Sequence, residues 1–223
     1  MFNISSILIS LTVVQFIMAA ILVAFWWSRM KACGLKEMAL AMTVGGIGAL
    51  AVGAGAGLID FRLACFGILC FVVAVLSAAR AMTRLQGRQP RHLLEAAALT
   101  FAAAAVYYFI IVRQDVAGML ASTSIVFAIV CGLAARDLLR ERDPGLKSGC
   151  RILGVMFAVF AGLHVLRIFI RPLFDTAPVP QGQIVALDFV FAFIGMAMVI
   201  GWSLGLLWAS HSRAEYRLRA AYA

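Results

Sequence analysis

The residues with the most chemical information are a few ionisable side chains inside long apolar runs. His164, Arg167 and Arg171 follow one another at spacings i, i+3 and i+7 in one run, and Asp188 lies near the start of the next. On a helix, these spacings place the three basic side chains on one face. A charged group at membrane depth costs a few kcal/mol unless it is paired or hydrated. We therefore examine these residues first as candidates for a binding site.

Other polar residues lie at a similar depth in neighbouring runs. Counting a rise of 1.5 Å per residue from the outer ends of the predicted helices places Arg167 ~5 Å deep, Asp188 ~6 Å and His164 ~9 Å. Tyr108 lies ~6 Å deep by the same count, and Gln15 and Thr123 lie ~11 Å deep. Five helices thus contribute polar groups to one layer. We predict a ligand pocket in this layer, formed by Gln15, Tyr107, Tyr108, Thr123, His164, Arg167 and Asp188.

Two other interpretations of the same residues stay open. Arg167 and Asp188 also fit an ion pair whose role is to fasten two consecutive helices together. A haem or metal site through His164 is disfavoured, because His92 and His211 lie at the opposite boundary of the membrane. We expect no metal and no catalytic residues, since no Ser/His/Asp set, H-E-x-x-H motif or phosphate-binding loop occurs.

Composition identifies the elements that position these residues. The chain has 223 residues, of which 64% are hydrophobic and 13% are charged, and its mean hydropathy is +1.01. A soluble domain of this size cannot bury so much apolar surface. The net charge of +9 comes from basic residues between the apolar runs, which orient a membrane protein in the bilayer. Nucleic acid is therefore not an expected partner.

The apolar runs predict an all-α bundle of seven transmembrane helices, because ~20 apolar residues span the hydrocarbon core. The predicted spans are 7–28, 38–58, 62–79, 93–112, 116–135, 151–170 and 184–209. Fifteen of the 19 Lys and Arg residues fall in one alternating set of connections and at the C-terminal end. This bias predicts an outside N-terminus and a cytoplasmic C-terminus, as in a bacterial inner-membrane protein.

Small residues recur every four positions in the second run. Gly45, Ala49, Gly53 and Gly57 form one smooth helical face, and Gly201 and Gly205 form a shorter one in the seventh run. Such faces let two helix backbones approach closely. The pattern fits helix packing within the chain, and it also fits the seam of a homodimer.

Two segments flank the seventh run. The loop before it contains Pro172, Pro178 and Pro180, which we expect to stop the sixth helix. After Trp208 the chain continues as ASHSRAEYRLRAAYA, without a Gly or Pro stop signal. The seventh helix should therefore run on into the cytoplasm. We assign residues 1–210 to the transmembrane domain and 211–223 to the start of a cytoplasmic signalling helix.

The chain resembles the seven-helix membrane input regions of bacterial diguanylate cyclases of the GGDEF type. The resemblance covers the organisation of the whole chain, and it is most specific in HVLRIFIRP at 164–172 and SRAEYRLR at 212–219. It implies a homodimeric input module whose last helix leads to a cyclase domain soon after Ala223. The sequence motif of that domain is absent here, so the resemblance assigns no enzymatic activity to this chain.

These observations predict a sensory module in the lipid bilayer. A small apolar or amphipathic ligand, or the state of the membrane, would be sensed in the outer half and relayed through the seventh helix. The alternative is a small transporter or permease. It is disfavoured because the sequence has no inverted repeat, no broken helices at matching positions and no midplane acid. A structural assembly subunit is a third possibility.

Overall fold

The computed structural model describes residues 4–28, 34–58, 61–113, 115–174 and 184–222. Within these ranges the regular structure is entirely helical, as predicted. The elements are α1 (Ile4–Trp27), α2 (Leu35–Leu58), α3 (Phe61–Leu85), α4 (His92–Tyr107), a π-helical segment (Tyr108–Val112), α5 (Val116–Leu139), α6 (Pro144–Phe174) and α7 (Ile184–Tyr222).

The helices α1 to α6 are long and apolar enough to cross a membrane in the part of the chain that the structure describes, with α4 counted together with the π segment as His92–Val112. The chain is thus a multi-pass helical membrane protein. Many of its exposed side chains are large and apolar, such as Ile17, Leu50 and Phe169, as expected of a surface that faces lipid. Trp27 and Trp208 are also exposed.

Six helices form a ring, and one packs outside it. The contacts follow the order α1, α2, α3, α5, α6 and α7, and the pair α1–α7 closes the ring. Helix α4 packs mainly against α3 and α5 on the outside. Helix α7 also touches α2 and α3, so it borders the interior of the ring as well as its two neighbours.

The small-residue face of α2 packs against α1. A methyl group at Gly45 would lie 2.9 Å from Nε2 of Gln15, and one at Gly53 would lie 3.3 Å from Cβ of Leu8. Ala49, between them, is fully buried. For these residues the structure shows helix packing within the chain, because α1 covers their face. The surroundings of Gly57 lie outside the part of the chain that the structure describes.

The corresponding face of α7 packs against α6. A methyl group at Gly205 would lie 2.7 Å from Cδ2 of Leu153, and one at Gly201 would overlap the end of Met156. Both helices of this pair therefore approach closely through glycine. This contact is also internal to the chain.

A close backbone approach between α2 and α3 involves two glycines that the sequence pattern did not single out. A methyl group at Gly48 would lie 2.8 Å from the carbonyl oxygen of Gly67, and one at Gly67 would lie 2.6 Å from the carbonyl oxygen of Gly48. The obstacle in each case is rigid backbone. The crossing of α2 and α3 therefore depends on the absence of a side chain at both positions.

Ion pairs connect the helices at the end of the bundle that carries residues 86–91 and 140–143, which we call the basic end. Arg91 pairs with Asp137 at 2.8 Å and Arg88 with Glu141 at 3.7 Å, which ties the loop before α4 to the end of α5. Arg80 of α3 pairs with Glu95 of α4. These pairs hold α4 against α3 and α5.

The sixth helix is longer than predicted at both ends. It begins at Pro144, whose fixed φ suits the first turn of a helix, and it continues through Pro172 to Phe174. The expectation that Pro172 ends this helix is wrong. Near a helix end, proline removes only one backbone hydrogen bond, and its φ is already helical. Pro178 and Pro180 lie outside the described residues.

The α2–α3 crossing gives a stability prediction. Gly48→Ala should lower the free energy of unfolding by about 1–3 kcal/mol, because the added methyl group forces two backbones apart. Gly132→Ala in α5 is the matched control. Apart from its own helix backbone, no described heavy atom lies within 4 Å of the methyl group it adds, so it should stabilise by up to about 1 kcal/mol through helix propensity. Thermal unfolding of the purified protein measures both, and equal midpoints would contradict the proposed close approach.

Candidate functional site

A cavity of about 400 Å³ lies inside the helix ring. Its walls come from α1, α2, α3, the π segment, α5, α6 and α7. Along α3 the lining runs from Cys65 to Ala78, which corresponds to ~20 Å at 1.5 Å per residue. The cavity is therefore long, and it extends from the end of the bundle where α1 begins toward the basic end.

Four of the residues predicted for the pocket line this cavity. They come from three helices: Gln15 from α1, Thr123 from α5, and His164 and Arg167 from α6. Most other lining residues are apolar. The cavity is thus an apolar space with a few polar groups, which is the usual character of a small-molecule site.

The structure does not bring the two predicted tyrosines to the cavity. Tyr107 is 64% exposed and Tyr108 is 47% exposed, and neither lines it. The neighbouring Val106 and Ile110 are buried instead, and Ile110 lines the cavity. Depth along a helix does not determine rotation about its axis, and the tyrosines lie on the outer face of α4 and the π segment.

His164 is held by a hydrogen bond and two aromatic rings. Its Nδ1 lies 3.4 Å from Oγ of Ser124. The rings of Phe127 and Phe160 approach it edge-on, with centroid distances of 4.8 and 4.6 Å. The imidazole is therefore fixed in orientation at the cavity wall.

Trp202 of α7 is part of the same aromatic cluster. Its ring stacks on Phe157 at 4.3 Å with an interplanar angle of 7°, and it meets the edge of Phe160 at 5.1 Å. The side chain is only 2% exposed, yet Nε1 has no hydrogen-bond partner among the described residues. Trp202 is thus a buried donor in the wall of the cavity.

Gln15 is a second buried polar group of this kind. It is 3% exposed, and its Oε1 has no hydrogen-bond partner in the described part of the chain. An unsatisfied buried polar atom costs about 1–3 kcal/mol. Two such atoms in the lining of one cavity indicate a place where a ligand gains hydrogen bonds.

Arg167 supplies the positive charge of the site. Its guanidinium carbon lies 4.9 Å from the ring centroid of Phe191 in α7, which is a cation–π distance. The described side chains that line the cavity include no acid. Asp188 belongs to α7, but its side chain lies outside the described residues, so its ion pair with Arg167 stays a prediction.

The described residues offer little for a metal. They contain no group of three His, Cys, Asp or Glu side chains that could hold an ion. His164, Cys65, Met42 and Met119 are the lining residues with ligand chemistry. The haem option through His164 gains no second histidine from the cavity wall.

Several residues of the site gave a weak signal or none in the sequence. Gly195 and Trp202 share one helical face with Asp188, and both line the cavity. Their spacing from Asp188 was the feature of the sequence that could have predicted them as cavity residues. Ser124, Phe127 and Phe160 contact His164 from positions that no motif distinguishes from ordinary packing residues. Their role follows only from the way α5 and α6 pack.

No family model matches this chain, and comparisons with curated proteins and with solved structures find no significant match. Inference about function therefore rests on the cavity, the helices that form it and the sequence.

The buried amide of Gln15 gives a second prediction. Gln15→Leu should raise the free energy of unfolding by about 1–3 kcal/mol, because it removes a buried oxygen that lacks a partner. Thr12→Val, one turn earlier on α1, is the matched control. Oγ1 of Thr12 donates to the carbonyl oxygens of Leu8 and Gly46 at 2.8 and 3.3 Å, so its loss should destabilise by about 0.5–1.5 kcal/mol. Chemical unfolding in mixed micelles compares them, and shifts of the same sign would be inconsistent with this account.

Proposed function

We propose that the protein is a membrane-embedded sensory input module, without enzymatic activity of its own. In this proposal a small ligand binds in the cavity, and α7 relays the change to a cytoplasmic effector. The observation that carries it is the continuity of α7. One helix lines the cavity with Gly195, Val199 and Trp202 and then extends without interruption to Tyr222.

The length of α7 supports a relay across the membrane. Its 39 residues correspond to ~58 Å at 1.5 Å per residue, whereas the hydrocarbon core is ~30 Å thick. A movement of the helix at Trp202 is therefore carried well beyond the bilayer.

Contacts at the basic end hold the distal part of α7. Arg213 donates to the carbonyl oxygen of Leu85 at 2.9 Å and lies 3.8 Å from a carboxylate oxygen of Asp143. Tyr216 packs over Gly145, where a methyl group would lie 3.2 Å from its ring. These contacts define one position of α7, and a ligand that binds another position more tightly shifts the population toward it.

The proposal includes an orientation. Seven spans with the N-terminus outside would place the basic end and the extension of α7 in the cytoplasm of a bacterial inner membrane, as the distribution of Lys and Arg favours. The polar part of the cavity would then lie in the outer half of the bilayer.

The resemblance to GGDEF-type input regions favours a diguanylate cyclase effector and a homodimer. The glycine faces of α2 and α7 do not support the dimer, since their described members pack within the chain.

The orientation is tested with reporter fusions. Fusions after residues 36, 88, 145 and 223 should all report a cytoplasmic location, because each follows a cluster of basic residues. Fusions after residues 60 and 114 serve as the opposite control and should report an external location. A single external result in the first group would refute this topology.

A transporter is the second candidate, and the length of the cavity favours it. The lining covers ~20 Å of α3, which is most of the hydrocarbon thickness. Beyond Ala78, however, Met38, Met82 and Leu146 are fully buried, and they close the space toward the basic end. The cavity thus lies on one side of these residues, and packed side chains lie on the other.

The relay is tested through two tryptophans of α7. A dimerisation-dependent reporter is fused after Ala223, and its output is compared for Trp202→Leu and Trp208→Leu. Loss of the Trp202–Phe157 stack removes about 0.5–1.5 kcal/mol, so Trp202→Leu should change the output about two- to tenfold. Trp208 is 52% exposed, so its substitution should leave the output unchanged.

Equal output from both variants at equal protein levels would remove the main support for a relay through α7. Substrate accumulation in vesicles that is lost with Trp202→Leu would favour the transporter instead.

A further inference from the structure

We infer that the cavity binds a single-chain amphiphile whose head group carries a hydroxyl or carboxyl oxygen. The head group would lie among Arg167, His164 and Gln15, and the chain would extend along α3 to Ala78. This inference rests on the proposed ligand-binding function and names the chemical class of its ligand.

The first argument is the distribution of polar groups along the cavity. Arg167, His164 and Thr123 line the part nearer the start of α1, together with apolar residues such as Leu8, Val52 and Ile68, and Gln15 and Trp202 lie nearer the basic end. Past these, the lining contains only apolar side chains. These residues are Ala41, Met42, Ala74, Val75 and Ala78.

The position of the apolar part is fixed by helix contacts. Gln15 of α1 lies against Gly45 of α2, so Ala41 and Met42 lie about one turn further toward the basic end. Ala78 of α3 lies one turn from Ala81, whose carbonyl oxygen contacts Gly34 at the start of α2. The part of the cavity nearest the basic end is therefore apolar, whereas the polar groups lie among apolar residues in the remainder, an arrangement that suits an amphiphile.

The second argument is shape. A volume of about 400 Å³ is near the lower end of the range for ligand pockets, ~300–1,000 Å³. The same space reaches ~20 Å along α3. A long space of small volume suits one flexible chain better than a compact ring system.

The third argument is the hydrogen-bonding demand of the wall. Nε1 of Trp202 is a donor and needs an acceptor, whereas Oε1 of Gln15 is an acceptor and needs a donor. Both side chains are more than nine-tenths buried, and neither atom has a partner among the described residues. A hydroxyl group or a protonated carboxyl group supplies both functions, and a carboxylate would also interact favourably with Arg167.

The binding experiment uses the full chain in lipid nanodiscs, because detergents are themselves single-chain amphiphiles. Trp26→Phe, Trp27→Phe and Trp208→Phe together leave Trp202 as the only tryptophan. The probe is dodecanoic acid brominated at its fourth carbon, close to the head group, where bromine quenches tryptophan fluorescence at contact. We expect saturable quenching that unlabelled dodecanol reverses.

The matched control keeps Trp208 as the only tryptophan. Its side chain is exposed on the lipid side, so the probe should quench it in proportion to its concentration in the bilayer, without saturation. Saturable quenching of both tryptophans, or of neither, would overturn the inference.

Two substitutions locate the two ends of the ligand. Ala78→Leu fills the apolar end and should weaken binding of the dodecanoic acid probe about tenfold. A second, shorter probe, octanoic acid with the same bromine label, should bind as before. Ala97→Leu on the exposed face of α4 should change neither affinity. Gln15→Leu should weaken binding of both probes. Unchanged affinity of the longer probe in Ala78→Leu would exclude the proposed position of the chain.

A compact probe separates this inference from the proposed function. If bromobenzyl alcohol quenches Trp202 saturably and the chain probes do not, the cavity is a ligand site but the single-chain class is wrong. If no probe quenches Trp202 saturably, the ligand-binding function fails together with the inference.

Discussion

The structure depends on one constraint: a polar group inside the bundle must find its partner there, because hydrocarbon supplies none. Most buried hydroxyl groups find their hydrogen-bond partner on their own helix. Thr12, Thr123 and Ser203 each donate to a carbonyl oxygen one turn earlier on their own helix. Oε1 of Gln15 and Nε1 of Trp202 depart from this pattern, and both belong to the wall of the same cavity. Two unpartnered atoms in one wall thus distinguish the cavity, whereas Oγ of Ser210, also buried without a partner among the described residues, lies outside it.

At the basic end of the bundle, charged side chains pair with one another. Ion pairs such as Arg91–Asp137 and Arg88–Glu141 connect loops that are close to water, where each pair contributes little by itself. Their effect is geometric, since they fix the ends of α3, α4 and α5 relative to one another. Arg213 joins α7 to this framework through Leu85 and Asp143. One helix therefore contacts both the cavity and the connected loops.

Much of the fold was predictable, because long apolar runs leave helices as the available structure in a membrane. Helix ends were less predictable, as Pro144 and Pro172 show. The length of an apolar run gives the membrane-spanning part of a helix, but it does not predict how far the helix continues beyond that run. Gln15, Thr123, His164 and Arg167 were predicted together because the rise per residue is constant. Rotation about each axis is set by packing, so the sequence did not place Tyr107 and Tyr108 outside or identify the contact between Gly48 and Gly67.

The π segment has a consequence for how chain length varies among related proteins. A π turn holds one residue more than an α turn, and here the amide of Arg113 reaches back to the carbonyl of Tyr108 at 3.0 Å. Deleting one residue between 108 and 112 would turn the π turn into an α turn and leave Ile110 three or four residues after Val106, on the same helix face. This short stretch thus absorbs a one-residue change in length while the rest of the bundle keeps its register. Homologues should therefore show one-residue insertions and deletions at this point.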